Sequence, residues 1–291
     1  ILFGFSVGVT YFLAMTAAHL NLPIRRSIAI SMNMAAFAGG GLVWPPIFVV
    51  IIEWQGAHAV FLLFAAYLIV FSVVGGLLMR AARPPAHSST NEGGGIFSDL
   101  FTNNPRIFIL QWFGFILITF AALMAIGHAA GIVTFYGLPA DQNYWGPMIT
   151  NLAYILFALS AGIICDWITG RRVLIGLGIL TALPLLALYF APSATMCMVA
   201  LALVGGAFGA SATAWPMTVT GYYGAAALPR VYGRLTTSYG LAGLLGPFAA
   251  GLLYDWEGGY EYSVLIAGVL AVFGIATLMA LPKRNKALTS A

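Results

Sequence analysis

The twelve Lys and Arg residues of this chain lie only in alternate gaps between long apolar stretches. Multi-spanning membrane proteins keep basic residues in cytoplasmic loops and exclude them from short external loops. The alternation therefore predicts a set of membrane-crossing segments and also their orientation, with the basic gaps inside the cell. The basic residues are, in chain order, Arg25, Arg26, Arg80, Arg83, Arg106, Arg171, Arg172, Arg230, Arg234, Lys283, Arg284 and Lys286.

Composition independently favours a membrane protein. Charged residues make up 7% of the chain and hydrophobic residues 61%. In a soluble domain, charged residues make up about 25% and hydrophobic residues roughly 45–50%. A soluble protein with this many apolar helices would need charged outer faces on them, and the sequence has too few charges. The net charge of +4 is explained by basic loops beside anionic lipid, so we expect lipid and no nucleic acid among the partners.

Nine stretches of the chain approach the roughly 20 apolar residues that a helix needs to cross a bilayer. We predict an all-α integral membrane protein of the cytoplasmic membrane, with the N-terminus outside and the C-terminus inside. Because that is an odd arrangement and the chain begins with Ile1, we expect further helices upstream. The predicted helices are Phe3 to Leu20, Ser27 to Ile52, His58 to Met79, Ile107 to Thr134, Tyr144 to Cys165, Val173 to Phe190, Ser193 to Tyr222, Leu235 to Tyr254 and Tyr260 to Leu281.

One basic gap is longer than the others and divides the chain. Residues 83–106 are rich in Pro, Gly and Ser, a composition typical of a flexible linker. We predict three organisational units: residues 1–82 with three helices, the cytoplasmic linker 83–106, and residues 107–291 with six helices and a short cytoplasmic tail.

A charged loop separates the fifth and sixth predicted helices. Asp166 ends one helix, Gly170 turns the chain, and Arg171 and Arg172 begin the next helix. Asp166 can pair with an arginine or with the positive N-terminal end of a neighbouring helix, which would latch two helix bundles together. The alternative is that the arginines only mark a cytoplasmic loop and that Asp166 caps a helix.

The spacing Gly-x-x-x-Asp-x-x-x-Gly-Arg-Arg, from Gly162 to Arg172, resembles the signature loop of the major facilitator superfamily of secondary transporters. The resemblance implies two six-helix bundles joined by a long cytoplasmic linker, with both termini inside. The nine helices then correspond to the fourth through twelfth of that family. On this plan the cytoplasmic gate comprises Gly162, Asp166, Gly170, Arg171 and Arg172, with Arg25 and Arg26 at the helix that Asp166 would latch onto.

Further segments resemble the oxalate/formate antiporter and monocarboxylate porter group. They are Gly4 to Tyr11, Pro23 to Ala29, Ala36 to Gly41 with Pro45 and Pro46, Leu123 to Ala130, Tyr232 to Arg234, and Ala242 to Pro247. Members that carry dicarboxylates often have Gly-Arg before the signature loop and a Lys in the eleventh helix. This chain has Phe157-Ala158 at the first place and no Lys from Leu235 to Tyr254. Either the cation lies elsewhere in the protein, or the substrate is less charged.

Polar residues inside the predicted helices are candidates for a substrate path, because polar groups at membrane depth normally face the bundle interior. For His128, the near-neutral pKa of an ordinary histidine suggests proton coupling. A simple hydrogen bond to a neighbouring helix is the alternative. The candidates are Tyr11, Asn33, Gln111, His128, Tyr154, Thr213, Trp215 and Tyr239.

Function follows as a hypothesis from the resemblance. We expect a monomeric secondary transporter that moves a small organic anion or related metabolite by alternating access, using a coupling ion or a counter-substrate. The alternatives are a non-transporting sensor or scaffold of the same fold, or a transporter of an uncharged or drug-like solute. The sequence has no phosphate-binding loop, metal-binding motif or nucleophile elbow, so we expect no enzyme, no cofactor and no metal.

Overall fold

The described part of the chain is built from α-helices. The computed structural model describes residue 14 and residues 26–81, 105–224 and 227–282. A short 3₁₀ turn, Ala140–Gln142, lies between α4 and α5. The helices are α1 (Arg26–Gln55), α2 (Ala57–Ala81), α3 (Pro105–Gly127), α4 (Ala129–Phe135), α5 (Trp145–Trp167), α6 (Gly170–Phe190), α7 (Ala194–Tyr223), α8 (Leu228–Leu235), α9 (Thr237–Glu257) and α10 (Glu261–Met279).

Each predicted helix from Ser27 onward corresponds to a long helix of the structure. The predicted helix Phe3 to Leu20 and most of the predicted linker lie outside the described residues, so the domain boundaries stay predictions. Among the described residues, six helices are by length and composition apolar enough to cross a membrane, namely α2, α3, α5, α6, α7 and α10. The all-helical membrane fold is therefore confirmed in outline, while the count of nine and the orientation stay predictions.

Two details differ from the prediction. The helix expected from Ile107 to Thr134 is broken at His128, whose backbone angles are φ −113° and ψ 17°. The apolar pattern runs through this break unchanged, so hydrophobicity alone did not reveal it. An additional short helix, α8, occupies the basic gap before α9, and it begins with a proline in its first turn, where proline's fixed φ suits a helix start.

The helices are arranged so that basic residues collect at one end of the bundle and most acidic residues at the other, with Asp166 at the end of α5 as an exception. Arg171 at the start of α6 reaches Met279 at the end of α10, and Tyr222 at the end of α7 reaches Pro282. We call this the basic end, and the opposite one the acidic end. The basic end holds Arg106, Arg171, Arg172, Arg230 and Arg234, and the acidic end holds Glu53, Asp141, Asp255, Glu257 and Glu261.

Two apolar clusters form the core of the six long helices that follow residue 105. One surrounds Trp215 and Leu174 toward the basic end, and the other surrounds Met124 and Leu201 toward the acidic end. The main packed pairs are α5 with α7, α3 with α10, α1 with α5, α6 with α10, α3 with α9, and α6 with α7. Thus α1 is joined to the later helices chiefly through α5.

Helix α2 packs differently from the rest, because the apolar segment that makes it a candidate span has no buried residue among the described ones. Its rings Phe64 and Tyr67 contact Trp44 of α1, with ring centroids 6.3 and 4.6 Å apart. Large apolar side chains such as Phe61 and Leu78 are exposed. An apolar helix exposed on several faces is what a lipid environment permits and water does not.

Glycines bring α7 very close to α5. A Cβ atom on Gly205 would lie 2.5 Å from the carbonyl oxygen of Thr150, and one on Gly209 would lie 2.5 Å from that of Tyr154. Such small residues allow helix backbones to approach, which is how helices gain packing energy in a membrane. The α5–α7 spacing therefore depends on the absence of side chains at these two positions.

Replacing Gly209 with Ala is expected to lower the free energy of unfolding by about 1–3 kcal/mol, the usual range for overpacking. The obstacle is the backbone of Tyr154, which cannot move without separating two helices. Gly176→Ala is the matched control, because nothing lies within 4 Å of its position on α6. That variant should gain about 0.5–1 kcal/mol from helix propensity. Thermal unfolding of the detergent-solubilised protein measures the stability of both variants. Equal changes in unfolding temperature would contradict the role of Gly209.

Candidate functional site

Three of the predicted path residues are joined by contacts between aromatic rings. Trp215 of α7 stacks on Phe115 of α3 with ring centroids 4.4 Å apart, and Phe115 lies 6.4 Å from Tyr239 of α9. Tyr239 is nearly parallel to Phe208 of α7 at 6.3 Å, and Phe208 meets Tyr154 of α5 at 5.8 Å. These distances lie within the range of attractive aromatic pairs. We call these five residues the aromatic group.

The aromatic group has two layers. Trp215 and Phe115 are 1% and 4% exposed, whereas Tyr239 is 42% exposed and Phe208 is half-buried. The buried pair therefore fixes the position of the outer rings without itself being open to a solute. Tyr239 and Phe208 form the accessible surface of the group.

The aromatic group lies beside the contact between α1 and α5, where the helices before the predicted linker meet those after it. The Tyr154 hydroxyl donates to the sulfur of Met34 at 4.0 Å, and Ala38 and Ala158 pack in the same small cluster. Phe208 packs against that cluster from α7. An open surface at such a junction is where a transporter of two helix bundles would hold its solute.

A weak polar contact continues this junction toward the acidic end. The side-chain amide of Asn151 on α5 donates to the carbonyl oxygen of Gly41 on α1 at 3.4 Å, and also to that of Pro147 within α5 at 3.0 Å. A Cβ atom on Gly41 would lie 2.8 Å from the Asn151 amide oxygen. Gly41 thus allows the Asn151 side chain to fit between α1 and α5.

The structure does not bring Gln111 and Thr213 to that surface. Gln111 is fully buried on α3, and Thr213 is fully buried on α7. Thr213 follows Gly209 by one helical turn and therefore faces α5. Neither side chain has a hydrogen-bond partner among the described residues, although polar groups at such depth normally have one.

Of two further predicted path residues, the structure describes one. Asn33 is half-buried on α1 and directly precedes Met34, so it lies on a different face of that helix from the residue that contacts Tyr154. Tyr11 lies outside the described residues.

His128 lies at the break between α3 and α4 and connects it to two other helices. Its Nε2 is 2.9 Å from the carbonyl oxygen of Pro247 on α9, and its Nδ1 is 3.1 Å from the hydroxyl oxygen of Tyr260 before α10. Because a carbonyl oxygen only accepts, Nε2 carries the proton. In the neutral ring, Nδ1 then accepts from the Tyr260 hydroxyl. This geometry agrees with the second interpretation of His128, a simple hydrogen bond to neighbouring helices rather than proton coupling.

Small residues make room for this connection. A Cβ atom on Gly131 would lie 2.5 Å from the Tyr260 hydroxyl, and one on Gly127 would lie 2.9 Å from the Pro247 ring. Burial, and secondly the neighbouring Tyr254 and Asp255, raise the pKa of Tyr260 above its ordinary value of 10. Tyr260 therefore stays protonated at neutral pH and remains able to donate to His128.

In the predicted gate, Arg171 contacts α10. Its Nε donates to the carbonyl oxygen of Leu278 at 3.1 Å, and its Nη2 donates to that of Met279 at 2.6 Å. The last carbonyl groups of a helix have no partner within it, and a cation there also favours the helix dipole. Arg171 thus caps α10, while the exposed Arg172 has no such role.

The rest of the loop packs against α7. A Cβ atom on Gly170 would collide with the Thr218 side chain, and Gly162 is buried on α5. A cavity of about 300 Å³ opens between the start of α6 and the end of α7, next to Arg172 and Tyr222. The side chains of Asp166 and Arg26 and all of Arg25 lie outside the described part of the chain, so the latch stays a prediction.

Charge is absent from the interior of the described long helices. Their Asp, Glu, Lys and Arg residues all lie in a first or last turn. No group of three or more His, Cys, Asp or Glu residues that could hold a metal ion occurs among the described residues. The accessible aromatic surface can therefore offer ring faces and hydroxyl groups, but no ion pair from these helices.

Several residues of these contacts were not among the sequence candidates, including Phe115, Asn151, Phe208 and Tyr260. Two signals were available. Phe208 is a large ring within a glycine-rich segment of α7, and Asn151 is an isolated amide in an apolar helix. The sequence did not indicate a role for Tyr260, because its contact with His128 joins positions 132 residues apart.

Comparison with known proteins identifies relatives of this chain. The family model described as Major Facilitator Superfamily matches residues 129–290, more than half of the chain. The human protein named Monocarboxylate transporter 14 is 28% identical over 193 residues, which cover 64% of this chain and 36% of that protein. The Escherichia coli (strain K12) protein named Uncharacterized MFS-type transporter YhjX is 23% identical over 251 residues, which cover 84% of this chain and 61% of that protein. The chain therefore spans less than two thirds of the length of both relatives.

Replacing His128 with Ala is expected to lower the free energy of unfolding by about 1–3 kcal/mol, because it leaves the Pro247 carbonyl and the Tyr260 hydroxyl unpaired. His58→Ala is the control, since His58 is exposed at the start of α2. Thermal unfolding in detergent measures the difference. If the two variants unfold at the same temperature, His128 does not hold the three helices together.

Arg171→Gln is expected to destabilise the protein by about 1–3 kcal/mol, the usual cost of losing a charged hydrogen-bond donor, because it uncaps α10. Arg172→Gln removes the same charge from an exposed neighbour and should change stability by no more than about 0.5 kcal/mol. The two variants differ only in position, so thermal unfolding compares them directly. A larger effect at Arg172 would contradict the assignment.

Proposed function

Because the chain belongs to the major facilitator superfamily, we propose that it is a secondary active transporter. It moves a small organic anion or related metabolite across the cytoplasmic membrane by alternating access, driven by a coupling ion or a counter-substrate. The monomer is the transporting unit. The matching family is one of transporters, and both relatives are named as transporters; none of the three is described as an enzyme.

The observation that carries the proposal is the partly open aromatic surface at the junction of α1, α5, α7 and α9. Tyr239 and Phe208 present ring faces there, and Tyr154 links them to Met34 of α1. A solute at this place touches helices from both sides of the predicted linker, so its binding can favour one arrangement of the two sides over another. Such differential binding is what alternating access requires.

The nature of the solute follows from charge and from one relative. The described long helices contribute no cation to the junction, and an unpaired carboxylate at that depth is costly. A relative is named Monocarboxylate transporter 14, and one carboxylate is easier to accommodate than two. We therefore favour a monocarboxylate among organic anions. The same lack of charge also favours, as a second candidate, an uncharged solute.

In this mechanism the charged loop of the basic end acts as a gate. Arg171 fixes the loop to α10, which leaves Asp166 to engage the start of α1, where Arg25 and Arg26 lie in the sequence. This contact closes the basic end while the acidic end is open, and it breaks when the two sides rock apart.

Counterflow in proteoliposomes tests the proposal. Vesicles that contain the protein and are loaded with an unlabelled monocarboxylate should accumulate the labelled compound transiently, in a saturable manner. Protein-free vesicles are the control. No saturable counterflow of any carboxylate, amino acid or sugar would contradict a transport function and leave a sensor or scaffold.

Asp166→Asn tests the gate. The change removes one negative charge at nearly constant volume, so we expect counterflow to fall at least about tenfold while the protein stays folded, as the loss of a charge-assisted contact worth about 1.5–3 kcal/mol would cause. Asp255→Asn is the control, because Asp255 is exposed at the acidic end. Full counterflow in the Asp166 variant would show that the residue takes no part in the gate.

A further inference from the structure

We propose that the accessible aromatic surface recognises a ring of the substrate, so that this protein carries aryl monocarboxylates, acids with one carboxylate and one aromatic ring. The inference rests on the proposed transport function and narrows its substrate class. It is carried by the geometry of Tyr154, Phe208 and Tyr239 and by the absence of charged residues from the interior of the described helices around them.

The three rings come from three different helices and meet at one place. Phe208 and Tyr239 are within 13° of parallel at a centroid distance of 6.3 Å, whereas Tyr154 stands at 69° to Phe208 at 5.8 Å. A planar ring that lies against the exposed Tyr239 and the half-buried Phe208 therefore finds ring faces for offset stacking. Tyr154 is buried and holds Phe208 from the side through its T-shaped contact. Both contacts have the preferred geometries of aromatic pairs.

The buried layer holds this surface rigid. Phe115 contacts Tyr239 from behind, and Trp215 stacks on Phe115 at 4.4 Å and 19°. Because both are almost fully buried, the outer rings have little freedom to collapse when no solute is bound. A surface that is already in place loses less free energy on binding than a flexible one.

The chemistry of the surface also sets the charge of the substrate. Tyr239 offers a neutral hydroxyl donor, for which no partner is found among the described residues. One carboxylate can accept a hydrogen bond from such a group. Among the described residues of this surface a second carboxylate would find no cation, and a buried charge without a partner is strongly unfavourable. Ring contacts therefore supply the affinity, and the surface excludes small dicarboxylates.

Equilibrium binding to the detergent-solubilised protein tests the inference, with phenylacetate and acetate as probes of equal charge and oxalate as the dicarboxylate. We expect phenylacetate to bind at least about ten times more tightly than acetate, since one aromatic pair adds about 0.5–1.5 kcal/mol beyond burial. Oxalate should not displace phenylacetate. Counterflow of phenylacetate in proteoliposomes is measured alongside.

Two substitutions assign the preference to these rings. Phe208→Leu keeps an apolar side chain but removes the ring, and it should lower the phenylacetate-to-acetate affinity ratio about tenfold. Tyr239→Leu should lower the ratio in the same way. Because Tyr239 is partly exposed, this variant is expected to fold even if Phe208→Leu does not. Phe190→Leu, at the 76% exposed end of α6, is the matched control and should leave the ratio unchanged.

The outcomes separate this inference from the proposed function. Equal affinities for acetate and phenylacetate, displacement by oxalate, or an unchanged ratio in both ring variants would overturn the aryl preference, while saturable counterflow of acetate would still support a transporter. If no carboxylate binds or exchanges, the aryl preference fails. If amino acids and sugars do not exchange either, the proposed transport function fails as well.

Discussion

The arrangement of the helices depends on how closely α5 and α7 can approach. Apolar helices in lipid gain little from burying apolar surface, because lipid chains are equally apolar, so their association relies on packing at short range. Gly205 and Gly209 remove the side chains that would keep the two backbones apart. The resulting contact turns Phe208 of α7 toward Tyr154 of α5. The aromatic surface is thus a consequence of the glycines that flank it.

Polar side chains then tie the ends of the helices that follow residue 105. His128 connects the α3–α4 break to α9 and Tyr260 at the acidic end, and Arg171 caps α10 at the basic end. Between these ends, hydroxyl groups such as those of Thr150 and Thr181 donate to carbonyl oxygens one turn earlier in their own helix. Polar groups in an apolar bundle are therefore mostly satisfied locally or used at its ends.

The sequence predicted the helices well because apolar length is a direct requirement of a membrane. It predicted the site less well. Depth along a helix follows from residue number, at about 1.5 Å per residue, so the sequence alone indicates how far along its helix each candidate lies. Whether a residue faces the path depends on rotation about the helix axis, and uniformly apolar helices carry almost no periodic signal for it. Gln111 and Thr213 therefore proved to face the interior, while the ring neighbours Phe115 and Phe208 were missed.

The contacts of α1 differ in strength from those within the later helices. The polar links that hold α3, α9 and α10 together include distances of 2.9 and 3.1 Å to His128, and 2.6 Å between Arg171 and Met279. Across the α1–α5 junction the corresponding links are 3.4 Å between Asn151 and Gly41, and 4.0 Å between the Tyr154 hydroxyl and the Met34 sulfur. Hydrogen bonds weaken steeply with distance. The polar links described across the α1–α5 junction therefore resist relative motion less than those among α3, α9 and α10, and extensive close packing also joins α1 to α5.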